Sequence, residues 1–291
     1  MKYKKALRLL AGAAMLAAAA SAQATFIYSI ADNGRSLIRF DSANPSAVAM
    51  IGAFSGATVH MDGMDFRPAD GLLYGLDQAT SGIYRIDTAT GATTLVSTSS
   101  TASSTSVLGV DFNPVPDRLR LVNTNDQNLR INVATGAALV DGTLAYAVGD
   151  ANFGANPNIG DVAYTNHDRN PATGTTLFYI DTLLDILATT SNPNGGVLNT
   201  VGALGVDADR FSGFDISTVI GVNTAYASFT TGGTPSLYTI NLATGAATLV
   251  GAINGSSLFG LAVAPVPEPG SLALLALGGV GIWAQRRRRV G

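Results

Sequence analysis

The chain repeats Gly63-Met64-Asp65-Phe66-Arg67-Pro68 in a closely similar form as Gly109-Val110-Asp111-Phe112-Asn113-Pro114. Looser copies begin at Gly160, Gly213 and Gly260, so successive copies start 46, 51, 53 and 47 residues apart. A period near 50 residues in a sequence rich in strand-forming residues is typical of the blades of a β-propeller. The repeat therefore predicts an all-β fold in which each copy of the motif begins a blade.

The segment that starts with the first copy shows the strand pattern of one blade. Short apolar runs separated by turns that carry Gly or Asp lie at 64–66, 72–76, 83–87 and 92–96. Four such runs predict a four-stranded antiparallel sheet. The third turn ends at Gly91, and its Ala-Thr-Gly ending recurs at Gly136 and Gly245. We expect these glycines to supply a positive φ at the corner of a hairpin.

The last copy of the motif has only its first strand, at 258–263. Three strand-like runs without a leading motif, 26–30, 36–41 and 47–51, stand at the front of the chain. We expect the C-terminal strand to complete this N-terminal blade, which closes a ring of five blades and protects its edges. An open β-solenoid or two separate sandwiches are the alternatives, and the unequal spacing and the split terminal unit favour the ring.

The N-terminus has the three parts of a secretory signal peptide. These parts are the basic residues Lys2, Lys4, Lys5 and Arg8, the apolar run 9–20, and the small residues Ala22 and Ala24 before a cleavage site at Thr25. The sequence therefore predicts that residues 1–24 are a signal peptide handled by the Sec machinery. The folded domain is then expected to span residues 25–264, outside the cytoplasm.

Residues 265–291 form a second targeting segment. It begins with an extended stretch that proline keeps out of helices and central strands, Val266, Pro267, Glu268 and Pro269. An apolar run of 14 residues, 271–284, follows, and a comfortable helical span needs roughly 20. Four arginines that resist crossing a bilayer come last: Arg286, Arg287, Arg288 and Arg289. The segment is either a sorting signal that is later removed or a permanent membrane anchor, and the apolar runs at both ends are expected to be helical.

The order of these three parts resembles the PEP-CTERM sorting signal of Gram-negative bacteria. The resemblance implies recognition by an exosortase, a membrane enzyme, while the apolar run is transiently inserted in the inner membrane. It further implies cleavage near the Pro-Glu-Pro stretch and a product at the cell surface or outside the cell.

Between these targeting segments the chain is acidic and contains no lysine or cysteine. Residues 25–269 contain nine arginines, 19 aspartates and one glutamate, which gives a net charge of −11. The composition lacks the basic footprint of a nucleic-acid-binding protein. An exported chain without disulfides must rely on packing and topology for its stability.

Much of the folded part is similar to domain-of-unknown-function family 4394. The matching segments lie at 111–122, 128–132, 144–146, 149–152 and 199–207. The resemblance extends over nearly all of residues 26–264, and the family often carries this kind of sorting tail. The family has no assigned activity, so the resemblance supports the fold and the export and implies no chemistry.

Three aspartates occupy the same position in copies of the motif, Asp65, Asp111 and Asp215. On innermost strands their carboxylates could converge near the axis and bind Ca²⁺, which favours several oxygen ligands. Propeller lactonases use central acidic residues in this way, an analogy at the level of the fold alone. The alternative interpretation is structural, with each carboxylate accepting hydrogen bonds from a neighbouring turn. The remaining two copies have Ala or Val at this position.

A second candidate for cation binding is the loop 150–158, which is rich in Asp and Asn. Asp150 and Asn152 have the spacing of calcium ligands, but the loop lacks the glycine and the glutamate of an EF-hand. The alternative is a loop built from Asx-turns, which bind no ion.

Histidine is scarce, and the sequence contains no nucleophile elbow, zinc-protease motif or P-loop. His60 precedes an inner strand and either points into the mouth of the channel or packs as a half-buried polar group. His167 lies in the polar loop 165–174, and we expect it to be solvated.

Three arginines stand out in a chain that has few of them, Arg118, Arg120 and Arg130. They are expected to form surface salt bridges with the nearby Asp117 and Asp126. Binding of an anionic sugar is the alternative interpretation.

These observations favour an exported structural or binding protein of the cell surface or extracellular matrix, associated with exopolysaccharide. A metal-assisted hydrolase of the lactonase kind with its site in the channel is one alternative. A glycan- or small-ligand-binding module is another. The scarcity of His, Lys, Glu and Cys disfavours an enzyme, and no cofactor other than Ca²⁺ is suggested.

Overall fold

The structure is a computed structural model that describes residues 25–55, 60–105, 107–167, 171–210, 212–219, 221–255 and 258–265. The signal peptide with Ala22 and Ala24, the sorting segment from Val266 onward and the helices expected in both lie outside the described residues. The described part is all-β, apart from 3-10 turns at Pro171–Thr173 and Pro193–Gly195. Neither of these turns approaches the length and apolarity that a transmembrane helix requires.

The described strands form five sheets, which we call blades 1 to 5. Blade 1 contains β1 (Phe26–Ala31), β2 (Ser36–Asp41), β3 (Asn44–Ala53) and the last strand of the chain, β21 (Phe259–Val263). Blade 2 contains β4 (Gly63–Phe66), β5 (Leu73–Asp77), β6 (Gly82–Ile86) and β7 (Thr93–Thr98). Blade 3 contains β8 (Leu108–Asn113), β9 (Arg118–Asn123), β10 (Asn128–Ile131) and β11 (Ala138–Val140).

Blade 4 differs from the expected four strands because a fifth strand joins its outer edge. It contains β12 (Ala145–Tyr146), β13 (Ile159–Tyr164), β14 (Leu177–Asp181), β15 (Ile186–Asn192) and β16 (Val197–Ala203). The short β12 pairs in parallel with β16, whereas the other strands of the blade are antiparallel. Blade 5 has the expected form, with β17 (Gly213–Val219), β18 (Val222–Thr231), β19 (Thr234–Ile240) and β20 (Ala247–Ala252).

The two ends of the folded domain meet in blade 1, as the split repeat predicts. Strand β21 pairs antiparallel with β1, with Ile27 opposite Val263 and Ser29 opposite Leu261. The Ser29 hydroxyl also donates a hydrogen bond of 2.8 Å to the carbonyl of Gly260 in β21. The strand order β21-β1-β2-β3 therefore closes the ring of five blades and confirms the predicted fold class.

The hydrophobic core lies between neighbouring blades. Five buried clusters join blade 1 to 2, 2 to 3, 3 to 4, 4 to 5 and 5 to 1. The last cluster packs Ile27 and Phe40 of blade 1 against Leu237 of blade 5. The innermost strands β4, β8, β13, β17 and β21 each contact the innermost strands of both neighbouring blades. This places the motif that opens each repeat around the axis of the propeller.

The Ala-Thr-Gly turns hold successive blades together at the outside of the ring. Gly91, Gly136 and Gly245 have φ angles of +76°, +74° and +83°, as the sequence predicts. A Cβ atom on Gly136 would lie 1.9 Å from the carbonyl oxygen of Thr98 in the preceding blade. Glycine is required there for its conformation and for the close approach of the two backbones.

Candidate functional site at the propeller axis

The repeated aspartates lie on the innermost strands, and their side chains are buried next to the axis. Asp65 of β4, Asp111 of β8 and Asp215 of β17 are only 1–2% exposed. The structure therefore brings together the three carboxylates that the sequence singled out.

Most of these carboxylate oxygens accept a backbone N–H, and the donors come from two blades. Asp65 accepts the amide of Phe66 at 2.6 Å and that of Phe112, on the innermost strand of blade 3, at 2.8 Å. Asp215 accepts the amide of Ile216 at 2.5 Å and that of Val263 in blade 1 at 2.6 Å. Each of these side chains therefore joins its own inner strand to the next one around the ring.

A fourth buried aspartate, Asp161, joins two inner strands in the same way, but it does not align with the other three in the repeat. The copy that starts at Gly160 puts Val162 at the shared position, but Ala163 of β13 lies opposite Phe178 as Asp65 lies opposite Tyr74, so Ala163 is the structural equivalent in blade 4. Asp161 stands two residues earlier, next to a β-bulge, and accepts the amides of Val162 at 2.8 Å and Phe214 at 2.7 Å. Because residues i and i+2 share one face of a strand, the period of two could have identified it.

His167 is the second residue that the sequence interpretation missed. The loop after β13 folds back, and the His167 amide donates to the hydroxyl of Thr218 at 3.0 Å. The imidazole Nε2 atom then lies 3.4 Å from Asp65 Oδ2, 3.5 Å from Asp111 Oδ1 and 2.9 Å from the carbonyl oxygen of Phe112. Its side chain is only 9% exposed, so the expectation that His167 is solvated is wrong.

Burial dominates the electrostatics of this cluster. Loss of water raises the pKa of Asp65 to about 8 and those of Asp111 and Asp215 to about 7, and it raises the pKa of Asp161 well above its usual value. Burial opposes a charge on His167 as well, but the carboxylates of Asp65 and Asp111 outweigh it and raise the pKa of His167. The site is therefore one where charge is costly and where protons or cations are favoured.

The structure does not bring Asp150 and Asn152 into this cluster. They lie in the loop between β12 and β13, where Asp150 accepts the Thr200 amide and hydroxyl, both at 2.7 Å. The side-chain amide of Asn152 donates to the Thr200 hydroxyl at 2.8 Å, and its backbone N–H donates to Asp150 at 2.9 Å. The loop is built as an Asx-turn that docks on β16, and cation binding there stays a prediction.

The arginine pairing expected from the sequence is wrong. Arg120 is buried, and both it and Arg130 bind Asp141, at 2.6 Å and 2.7 Å. Arg118 donates to the carbonyls of Pro116 and Asp117. Partners distant in the sequence cannot be read from spacing, because the hairpin pairing of blade 3 determines which arginine meets which acid.

His60 lies apart from the axial cluster. Its imidazole Nδ1 is 3.2 Å from Asp62, its side chain is 37% exposed, and its ring covers Gly34 in blade 1. His60 therefore matches the half-buried polar group that was one of its two interpretations.

The fold and the sorting tail together define an exported five-bladed β-propeller with a buried acidic axis. Residues 265–289 match the PEP-CTERM protein-sorting motif, which marks a cell-surface protein processed by an exosortase during export, typically in Gram-negative bacteria. Residues 36–262 match the family described as "Domain of unknown function (DUF4394)", and the chain belongs to that family.

The likenesses to solved structures are distant. No curated protein matches the chain. A crystal structure of a nidogen/laminin complex is similar at 11% identity and a TM-score of 0.47, covering 83% of this chain and 98% of that one. A protein of unknown function from Bacteroides thetaiotaomicron is similar at 13% identity and a TM-score of 0.47, covering 85% and 68%. A protein from Lactobacillus plantarum is similar at 15% identity and a TM-score of 0.44, covering 82% and 71%.

Proposed function

We propose that this protein is a structural or binding component of the cell surface or extracellular matrix, associated with exopolysaccharide, and not an enzyme. The observation that supports this most directly is that the axial aspartates hydrogen-bond to the backbone of neighbouring blades. In Asp65, Asp161 and Asp215 both carboxylate oxygens accept backbone amides, one from the residue's own strand and one from the next blade. The repeated acids thus build the ring, which is what a scaffold needs.

The rim of the propeller supports a role in contact with other molecules. Leu95, Leu139 and Leu249 are 55%, 58% and 60% exposed on the outer strands β7, β11 and β20. These three strands carry no charged residue, in a chain whose folded part, residues 25–264, has a net charge of −10. Uncharged apolar strands at an edge are typical of interaction surfaces, because edge strands that stay alone usually carry charge.

The proposal is tested by following the full chain in a host that has an exosortase and makes exopolysaccharide. We expect the processed protein in the surface and matrix fractions, and we expect it in the medium when exopolysaccharide synthesis is deleted. Substitution of Arg286, Arg287, Arg288 and Arg289 by Gln should leave an unprocessed, membrane-bound form. Release into the medium regardless of exopolysaccharide would contradict the matrix role, and unchanged processing of the arginine variant would contradict the sorting role.

A metal-assisted hydrolase is the second candidate, and the placement of His167 against Asp65 and Asp111 is the observation that favours it. A catalytic metal site keeps an open coordination position for water or substrate. The burial of these carboxylates, at about 1% exposure, disfavours such an opening. Esterase and lactonase assays on the purified exported protein, with and without added divalent metal, decide between the two. Turnover that is lost in a His167→Gln variant would establish the hydrolase.

A further inference from the structure

The axial cluster contains a set of groups that the scaffold alone does not explain. We propose that Asp65, Asp111, Asp215 and His167 form a structural metal site that takes one divalent transition-metal ion of the zinc class at the propeller axis. The proposal concerns stability and stands independently of the surface role.

The first argument is the geometry of the possible ligands. Ligand atoms of Asp65, His167 and Asp215 all lie within 4.8 Å of one another. His167 Nε2 is 3.4 Å from Asp65 Oδ2 and 3.5 Å from Asp111 Oδ1. A tetrahedral ion with bonds of about 2.1 Å holds its ligands about 3.4 Å apart. The two distances from His167 therefore match those that one ion would impose, and an oxygen of Asp215 lies within 4.8 Å of the ligand atoms of Asp65 and His167.

The second argument is independent of the clustering. Asp111 Oδ1 is fully buried and has no hydrogen-bond partner among the described residues. The facing imidazole does not serve as one, because His167 Nε2 is 3.5 Å away and its N–H points at the Phe112 carbonyl at 2.9 Å. An ion bound at Nε2 would replace that proton and end this hydrogen bond. A buried carboxylate oxygen without a partner is costly. An ion between Asp111 and His167 would give this oxygen the partner that the protein does not supply.

The third argument is charge. Four buried carboxyl groups lie on the inner strands, Asp65, Asp111, Asp161 and Asp215, and a single imidazole, that of His167, lies beside Asp65 and Asp111. Arg120, which lies opposite Asp111 in the strand pairing of blade 3, is committed to Asp141 at 2.6 Å. Buried charges are retained in proteins when they are paired or coordinate a metal. A divalent ion would balance the charge of the carboxylates that bind it without adding a side chain.

The ligand chemistry selects the ion. Ca²⁺ and Mg²⁺ prefer oxygen ligands alone, and the three repeated aspartates by themselves suggest Ca²⁺. The imidazole of His167 adds a nitrogen ligand, which suits Zn²⁺ and related transition metals. With His167 in the cluster, the expected ion is therefore zinc and not calcium.

The placement of the ligands makes the ion structural. They come from inner strands of blades 2, 3 and 5 and from the loop that follows the inner strand of blade 4. Blade 1 carries Ala262 next to the axis and is held by the bond from Val263 to Asp215. An ion would therefore join blades 2, 3, 4 and 5 next to blade 1, whose β1–β21 pair closes the ring.

The first test is made on the exported protein, purified without a histidine tag. The protein is unfolded in guanidinium with EDTA, freed of both, and refolded with Zn²⁺, with Ca²⁺ or without metal, because the buried site is best loaded during folding. We expect one zinc per chain by elemental analysis and a rise in Tm of about 5–10 °C at a hundredfold excess over Kd. No stoichiometric zinc, or stoichiometric calcium in its place, would overturn the proposal.

Variants then locate the ion. His167→Ala should lose the zinc and the gain in Tm, whereas the control His60→Ala should keep both, since His60 lies on the surface beside Asp62. Zinc bound equally by His167→Ala would overturn the assignment. If His167→Ala does not refold, cobalt in the unmodified protein decides: the intense visible bands of a four-coordinate site with nitrogen support the proposal, and the weak spectrum of hydrated Co²⁺ overturns it.

Discussion

Asp161 shows why the axis uses aspartate and not asparagine. Both of its oxygens accept a backbone N–H, from Val162 and from Phe214 of the next blade. Asparagine has a single acceptor oxygen, so Asp161→Asn would turn an NH₂ group toward one of these donors. We expect a loss of about 1–3 kcal/mol in the free energy of unfolding, measured by urea denaturation.

The chain offers a matched control for this substitution. Asp87 is an exposed acid that accepts the amides of Ala89 and Thr90 in an Ala-Thr-Gly turn. The equivalent turns use Asn132 and Asn241 in the same way. Asp87→Asn should therefore leave the stability nearly unchanged. Equal losses in the two variants would contradict the bridging role of Asp161.

Buried acids also set the pH dependence of the metal-free protein. Burial raises the pKa of Asp161 well above its usual value, and burial raises the pKa of Asp62 as well. The folded chain then keeps protons that the unfolded chain loses near pH 4, so this stabilisation is complete below pH 4 and is lost as pH rises through the folded pKa values. In EDTA, the free energy of unfolding should fall as the pH rises above about 4, where the unfolded carboxyl groups lose their protons, and Asp161→Asn should flatten that slope. A stability that rises with pH over this range would contradict the account.

Gly136 tests the contact between blades at the outer turns. Its φ is +74°, and an added Cβ would lie 1.9 Å from the Thr98 carbonyl oxygen. Gly154 has a similar φ of +87° but open space around it. We expect Gly136→Ala to cost clearly more than Gly154→Ala, which pays for the backbone conformation alone at about 1 kcal/mol. Thermal unfolding of the two variants measures the difference. Similar Tm values would show that the turn at Gly136 is not in close contact with the Thr98 backbone of blade 2.

Among the strands, β9 and β13 are joined by the buried Arg120. Its guanidinium donates to Asp141 and Asn128 in blade 3, to the Tyr164 hydroxyl in β13 and to Asn194 in the 3-10 turn of blade 4. Removal leaves several buried acceptors unpaired, so Arg120→Met should lower the free energy of unfolding by about 3–5 kcal/mol.

Arg118 is the control for Arg120 in the same strand. It donates to two carbonyls near the surface, so Arg118→Met should cost less than about 1 kcal/mol by urea unfolding. Comparable losses for the two arginines would contradict the role of Arg120 as the link between blades 3 and 4.

The strands of blades 1, 2 and 5 could be predicted because the repeat, the alternation of apolar residues and the turn glycines all agree there. Blade 4 could not, since a β-bulge after Ile159 moves its axial acid to Asp161 and β12 adds a parallel strand. Three axial acids followed from the repeat, but His167 did not. Its place depends on a loop that folds back to Thr218, a contact across 51 residues that no local pattern encodes.

For the whole molecule, the closed ring explains how an exported chain without cysteine keeps its structure. Every blade packs on two neighbours, and the interface between blades 5 and 1 is buried like the others. The sorting motif directs the export of the protein. The contacts at the axis and the β1–β21 pair that closes the ring determine the stability of the folded domain.

A disulfide between β1 and β21 measures ring closure directly, because the natural chain contains no cysteine that could compete. Ser29 of β1 and Leu261 of β21 are Cα partners in the antiparallel pair, close enough for a disulfide. Under mild oxidation the Ser29→Cys, Leu261→Cys variant should become nearly fully cross-linked. Mass spectrometry should show a loss of about 2 Da, because each of the two thiols gives up one hydrogen atom. The control pair Ser29→Cys, Thr248→Cys places the second thiol on β20 of blade 5 and should stay reduced. Failure of the Ser29–Leu261 pair to cross-link in the folded protein would contradict the closed propeller.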